Sequence, residues 1–209
     1  MRVFLTGFAA FPGMPHNPSE KVARDLAARH WSQIDEMSAC TLITSYGCVD
    51  AMAWAFIKGF APRLCVHFGV DARATTLRVE QRAANILNPR LIDQDGRLPQ
   101  SRLIDEGSPR HLYSRVNSGR LAGNLTQRGL PIDASSDAGA YLCNYLYYRS
   151  LQWSLKDQPR DVVFIHLPYP DDWRPLSNRD ARRGHNLTYR QILASAQKTI
   201  HTLISTVSR

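Results

Sequence analysis

Cysteine is scarce in this chain: four in 209 residues, at positions 40, 48, 65 and 143. No two stand in a CxxC pair and no zinc-ligand spacing appears, which excludes a disulfide scaffold and a zinc module. Reduced thiols in a cytoplasmic protein are the simplest reading. Long apolar runs are missing too; nothing approaches the roughly 18 residues that span a bilayer, so no membrane partner is expected. The opening MRVFLTGFAAFPGMPHNP has one Arg and an apolar run. Thr6 and Gly7 interrupt that run and Pro12, Pro15 and Pro18 follow it, so a buried first strand explains it better than a leader. Acidic residues are in deficit, 18 against 26 Lys and Arg, a net charge of +8. Yet there is no Lys/Arg block and no interleaved aromatic platform; the densest run is Arg179, Arg182 and Arg183. A solvated basic surface is the reading, with no nucleic-acid partner. Two N-x-T sequons, at Asn124 and Asn186, carry no weight in the cytosol. Internal repeats and linkers are absent. With 44% apolar and 21% charged residues, one globular domain over 1–209 is expected.

What is present alternates between strand-like and helical patterns. A short strand is predicted over 3–5, left through Thr6, Gly7 and Phe8. Asn17-Pro18-Ser19-Glu20 is a helix start: Asn17 can cap, Pro18 suits the first position and Glu20 stands three residues after the cap. That helix should run to about His30. A second strand is predicted over 41–44 and a helix capped by Asp50 to about Gly59. Residues 64–69 form a continuous apolar run, the mark of a strand covered on both faces. Residues 75–84 read as extended, and the turn formers of 86–110 as loop or hairpin. A helix over 114–128, a strand over 130–133, a helix over 138–153, a strand over 162–167 and a final helix follow. In the last, Leu193, Ala196, Ile200, Leu203 and Val207 recur at 3, 4, 3, 4. Strands separated by helices imply parallel crossovers: a three-layer α/β/α sandwich with a mostly parallel central sheet. Functional groups in such folds gather at the carboxyl ends of the strands.

Three residues draw attention. Cys143 follows a strand-like stretch and opens a helix, where the dipole favours thiolate. His166 ends the strand of 162–167. Glu80 lies in the extended stretch before it. Singly, each has an ordinary explanation: a core cysteine, a hydrogen-bonded strand histidine, a salt bridge of Glu80 with Arg78 or Arg82. Together they are the nucleophile, base and orienting carboxylate of a cysteine hydrolase.

The blocks around them resemble the pyroglutamyl peptidase I (pyrrolidone-carboxylate peptidase) family. Thr6-Gly7-Phe8-Ala9-Ala10-Phe11 with Asn17-Pro18-Ser19 is similar to T-G-F-x-P-F-G-G…N-P-S. Gly69 through Asn85 is similar to G-x-x-[GAP]…E-[KR]-x-A-x-N. Ala138-Gly139-Ala140-Tyr141-Leu142-Cys143-Asn144 is similar to A-G-x-[FY]-x-C-N, and Phe164-Ile165-His166-Leu167-Pro168 to F-[IL]-H-[IV]-P. The resemblance spans nearly the whole chain, in the same order. It implies release of an N-terminal pyroglutamyl group from peptides, with Cys143 as nucleophile, His166 as base and Glu80 as orienter. It implies that Phe8 and Phe11 sandwich the pyrrolidone ring, with Gly69, Val70 and Leu142 as further substrate contacts and Arg90 near the nucleophile. It implies no metal, no cofactor, and a homo-oligomer, dimer or tetramer.

This sequence departs from the family pattern at Ala10, Pro12, Gln81, Ser136 and Asp137. An Asp137 carboxylate near the nucleophile would raise the thiol pKa or shift substrate preference. A cysteine hydrolase for another small N-acyl group, and a non-catalytic homologue that keeps the fold, stand as alternatives.

Overall fold

The computed structural model describes residues 1–53, 58–156, 161–174 and 187–207. The Arg179, Arg182 and Arg183 run and the Asn186 sequon lie outside the described residues. The first strand, β1 (Arg2–Phe8), is longer than its apolar centre and includes Thr6, Gly7 and Phe8. Helix α1 (Pro18–Ala27) starts as the sequence predicts, with the Asn17 side chain accepting from Ser19 N. It stops short of His30. The Trp31 indole folds back and donates to Leu26 O, 2.9 Å away, a last-turn carbonyl that Arg29 N also reaches at 3.2 Å.

Strand β2 (Glu36–Leu42) lies earlier than predicted. It is an edge strand, and its polar positions hid it. The helix predicted to start at Asp50 begins instead with Ser45 capping a short turn, α2 (Tyr46–Cys48), which passes into a π-helical turn at Val49–Ala53. Asp50 is no cap; it accepts from the Tyr145 hydroxyl. Strands β3 (Leu64–Val70), β4 (Leu77–Glu80) and β5 (Arg82–Ala84) follow, then β6 (His111–Tyr113), which sequence reading assigned no element. β5 and β6 form an antiparallel ribbon that closes the 85–110 loop. Helix α3 (Ser118–Thr126) is capped by Asn117, so the predicted start at 114 is early by one turn. Strand β7 (Ile132–Ser135), helix α4 (Leu142–Lys156), strand β8 (Asp161–Leu167) and helix α5 (Tyr189–Val207) complete the described chain.

The six-stranded sheet has the order β2-β1-β3-β8-β4-β7. β2, β1, β3 and β8 run parallel; β4 joins β8 antiparallel and β7 follows β4. Strand alternation sorts the core into two layers. Val3, Leu5, Leu64, Val66, Val163 and Ile165 face α1, α3 and α5. Phe4, Phe8, Cys65, Val162 and Phe164 face α4. Each fully buried Leu, Ile or Phe contributes about 1.5–3 kcal/mol of transfer free energy. By the same alternation Glu80, Gly69 and His166 lie on the α4 face, so strand period 2 already decides which helix they meet.

Candidate functional site

Glu80 ends β4 and His166 is the sixth residue of β8. The antiparallel register sets Glu80 opposite Phe164 and Arg78 opposite His166. The diagonal brings His166 Nδ1 to 2.8 Å from Glu80 Oε1, with both side chains buried. The alternative explanation of Glu80, a salt bridge with Arg78 or Arg82, does not hold: Arg78 pairs with Asp71 and Arg82 donates to Ser136 O. The Glu80 backbone is clamped as well, its carbonyl accepting from Tyr147 and Ser118 hydroxyls at 2.9 and 3.1 Å. Sequence reading missed both hydroxyls, and no local pattern marks them.

Cys143 comes from the facing helix. α4 starts four residues later than predicted, because Gly139 at φ +81° turns the chain and Asp137 Oδ1 accepts its N–H at 3.0 Å. Cys143 is therefore the second residue of the helix, nearer the positive end than the sequence placed it. Asp137 is exposed and its carboxylate is spent on this turn. Asn144 locks the helix start to the β5 edge, donating to Ala84 O and Ile86 O and accepting from Ala84 N at 2.8–3.0 Å. Asn85 in turn holds the 104–108 stretch through four hydrogen bonds.

Gly69 decides where the thiol sits. A Cβ built on it would lie 2.8 Å from Cys143 Sγ and 2.8 Å from Phe164 Cζ, so only glycine leaves room. Gly69 is also the register partner of His166. The sulfur thus rests on the backbone position next to the imidazole, with Glu80 on the ring's other side.

The electrostatics separate two buried histidines. His67, two residues before Gly69, has only the Thr6 hydroxyl at Nδ1, and burial pushes it down to about 3. Burial opposes protonation of His166 too, but hydrogen bonds and charge from Cys143 and Glu80 outweigh it and hold the ring up at about 10. A carboxylate, an imidazole held protonated and a thiol at a helix start form a nucleophile–base–orienter arrangement.

The sequence profile of the Pyroglutamyl peptidase family matches residues 1–205. This chain belongs to that family. It is a hydrolase of the pyroglutamyl-peptidase class. Its relatives include the pyrrolidone-carboxylate peptidase of Pyrococcus furiosus, 30% identical over 170 residues and 81% of each chain. That of Vibrio vulnificus is 26% identical over 207 residues, 96% of this chain and 97% of the relative. Among solved structures, pyrrolidone carboxyl peptidase from Pyrococcus furiosus superposes with a TM-score of 0.87 at 25% identity, covering 99% of this chain and 100% of that one. The fold is shared with pyrrolidone carboxyl peptidase from Fervidobacterium islandicum AW-1, TM-score 0.87 at 24% identity over 98% and 99%.

The other residues singled out for this pyroglutamyl peptidase family member come from several segments, and Phe8 and Leu142 share the core cluster against which Cys143 packs. Phe8 is the last residue of β1, not of the loop after it, and is buried in the α4-side core; Phe11 is half-buried in a turn bridged to Met14. Leu142 is buried beside Cys143, and Val70 follows Gly69 at the strand end. Arg90 is exposed, on a loop tied by Asn88 N to Ala140 O, three residues before Cys143. Clefts of about 390, 770 and 420 Å³ lie elsewhere and include neither Cys143, Glu80 nor His166. Among the described residues, no group of three or more His, Cys, Asp or Glu could hold a metal, and no helix is long and apolar enough to cross a membrane.

Proposed function

We propose that this chain is a cysteine peptidase that removes an N-terminal pyroglutamyl group from peptides through a thioester acyl-enzyme. The observation that carries the reading is the Glu80–His166 pair at 2.8 Å beside a thiol seated on Gly69. With Nδ1 engaged by Glu80, Nε2 is the ring nitrogen left for Cys143. His166 already holds the thiol proton as an imidazolium, and Sγ attacks, as the thiolate, the acyl carbonyl that joins pyroglutamate to the next residue. The sulfur–carbon bond forms and the carbonyl electrons move to oxygen. N–H groups of the first turn of α4 have no intrahelical acceptor and face that charge. The C–N bond then breaks as His166 returns the proton to the leaving amine. Water, giving its proton to His166, cleaves the thioester, releasing pyroglutamate and restoring the thiol. Glu80 fixes the tautomer and favours the imidazolium throughout.

Phe8 and Phe11 wall the acyl pocket in this proposal, with Gly69, Val70 and Leu142 around it and Arg90 positioning. A flat lactam between two rings needs little polar recognition beyond its amide edge. The same reading has the protein a cytoplasmic homo-oligomer. Its four cysteines form no disulfide with one another, and among the described residues six of eight exposed large apolar side chains (Ile43, Ile86, Leu91, Ile92, Leu98 and Leu103) belong to the 86–103 loop and to Ile43 beside it. Chromophore release from pyroglutamyl amide, with prolyl and alanyl amides as controls, tests the activity: wild type should cleave the first, and Cys143→Ala none. Cleavage of the controls alone would move the assignment to another acyl group.

A further inference from the structure

At the opposite end of the sheet from Cys143, a groove of about 770 Å³ opens between α3 and α5. Arg63 and Asp161, at the amino ends of β3 and β8, form its back. From Asp161 to His166 is five strand residues, about 17 Å at roughly 3.3 Å each, so the groove is separate from the triad. Four arginines line it, Arg63, Arg115, Arg120 and Arg128, against one carboxylate, Asp161: 4 − 1 = +3. That carboxylate is spoken for. Arg63 Nη1 binds it at 2.7 Å while Nη2 donates to Val207 O, fastening the end of α5. Arg115, Arg120 and Arg128 form no ion pair among the described residues. Asn117 spends its carbonyl oxygen on capping α3, which leaves its amide donors available.

Three solvent-exposed guanidiniums without ion pairs among the described residues line one concavity and make its potential positive. Each offers a planar fork that matches phosphate oxygens two at a time. Separate forks call for several linked anionic groups rather than a single one. The volume lies in the range of about 300–1,000 Å³ that holds small ligands, and the buried Val116 and Leu121 give it an apolar floor. We propose that this groove is a binding site for small oligophosphate anions.

Calorimetry on the full chain tests it, with tripolyphosphate, ATP, monophosphate and a DNA duplex at matched ionic strength. Saturable one-to-one binding of tripolyphosphate is expected, with monophosphate far weaker. Equal affinity for ATP would place recognition in the phosphates alone; tighter ATP binding would add the apolar floor. Each of Arg115→Gln, Arg120→Gln and Arg128→Gln should weaken binding about ten-fold while leaving the unliganded Tm and amide hydrolysis unchanged. Arg63 is left intact because it holds structure. Absence of saturable binding, indifference to all three substitutions, or tighter binding of the duplex through the same arginines would overturn the proposal.

Discussion

Replacing Glu80 by Gln removes one charge from a buried pair and little else. The side chain is 1% exposed and bonds His166 Nδ1 at 2.8 Å. Its backbone carbonyl stays clamped by Tyr147 and Ser118 whatever the side chain, so the strand end should not move. Two effects follow. A hydrogen bond to a charged partner is worth about 1.5–3 kcal/mol; an amide that presents its NH₂ group to Nδ1 also enforces the wrong tautomer. Loss of oriented general-base catalysis costs about 10²–10⁴ in kcat, with KM changed far less, because Glu80 does not contact substrate. The second effect is on stability against pH. His166 is raised from 6.5 to about 10 in the folded protein. The unfolded chain gives up this proton first, so the contribution is complete below pH 6.5 and is lost as pH rises towards 10. Glu80→Gln should flatten that decline. The assay is kcat and KM on pyroglutamyl amide from pH 5 to 10, with urea unfolding at each pH. Full activity of the variant across the profile, with an unchanged stability slope, would refute the role.

Three further substitutions probe the site's supports. Gly69→Ala inserts a methyl 2.8 Å from the sulfur, so kcat should fall at least about ten-fold for each 1.4 kcal/mol of misplacement; unchanged turnover would mean the thiol sits elsewhere. Asn144→Ala deletes three hydrogen bonds from α4, two to β5 and one to Ile86 just after it, about 1 kcal/mol each, and urea denaturation should register roughly that total, with no loss contradicting the lock. Phe8→Ala should cost about 3–5 kcal/mol of stability because that ring is buried in the core and raise KM as well because it also walls the acyl pocket, whereas Phe11→Ala should chiefly raise KM several-fold. Parallel Tm and KM measurements that reversed the two would reverse their placement.

The buried strands and the candidate constellation of Glu80, Cys143 and His166 were legible in sequence for related reasons. Continuous apolar runs as short and β-branched as 64–69 and 162–167 favour central strands, and the blocks carrying Glu80, Cys143 and His166 fall at strand ends or a helix start. Boundaries were not legible where polar residues or side-chain caps decide them. β2 is an edge strand carrying Glu36 and Ser38. α2 is set by Ser45 rather than Asp50, and α4 waits for the Gly139 turn. Tertiary clamps left no trace in the pattern: the Tyr147 and Ser118 hydroxyls reach Glu80 across 67 and 38 residues. Beyond the substrate contact that the resemblance implies for Gly69, its lack of a Cβ leaves room for the sulfur, a role visible only once α4 is docked on the sheet.

The central claim is a covalent pyroglutamyl thioester on Cys143. Acid-quenching the enzyme milliseconds after mixing with an activated pyroglutamyl ester, followed by intact mass and peptide mapping, tests it most directly. The account predicts a single pyroglutamyl adduct on the peptide carrying Cys143, accumulating in Glu80→Gln and absent in Cys143→Ala. An adduct on Cys65, or turnover by the Cys143→Ala protein, would contradict it.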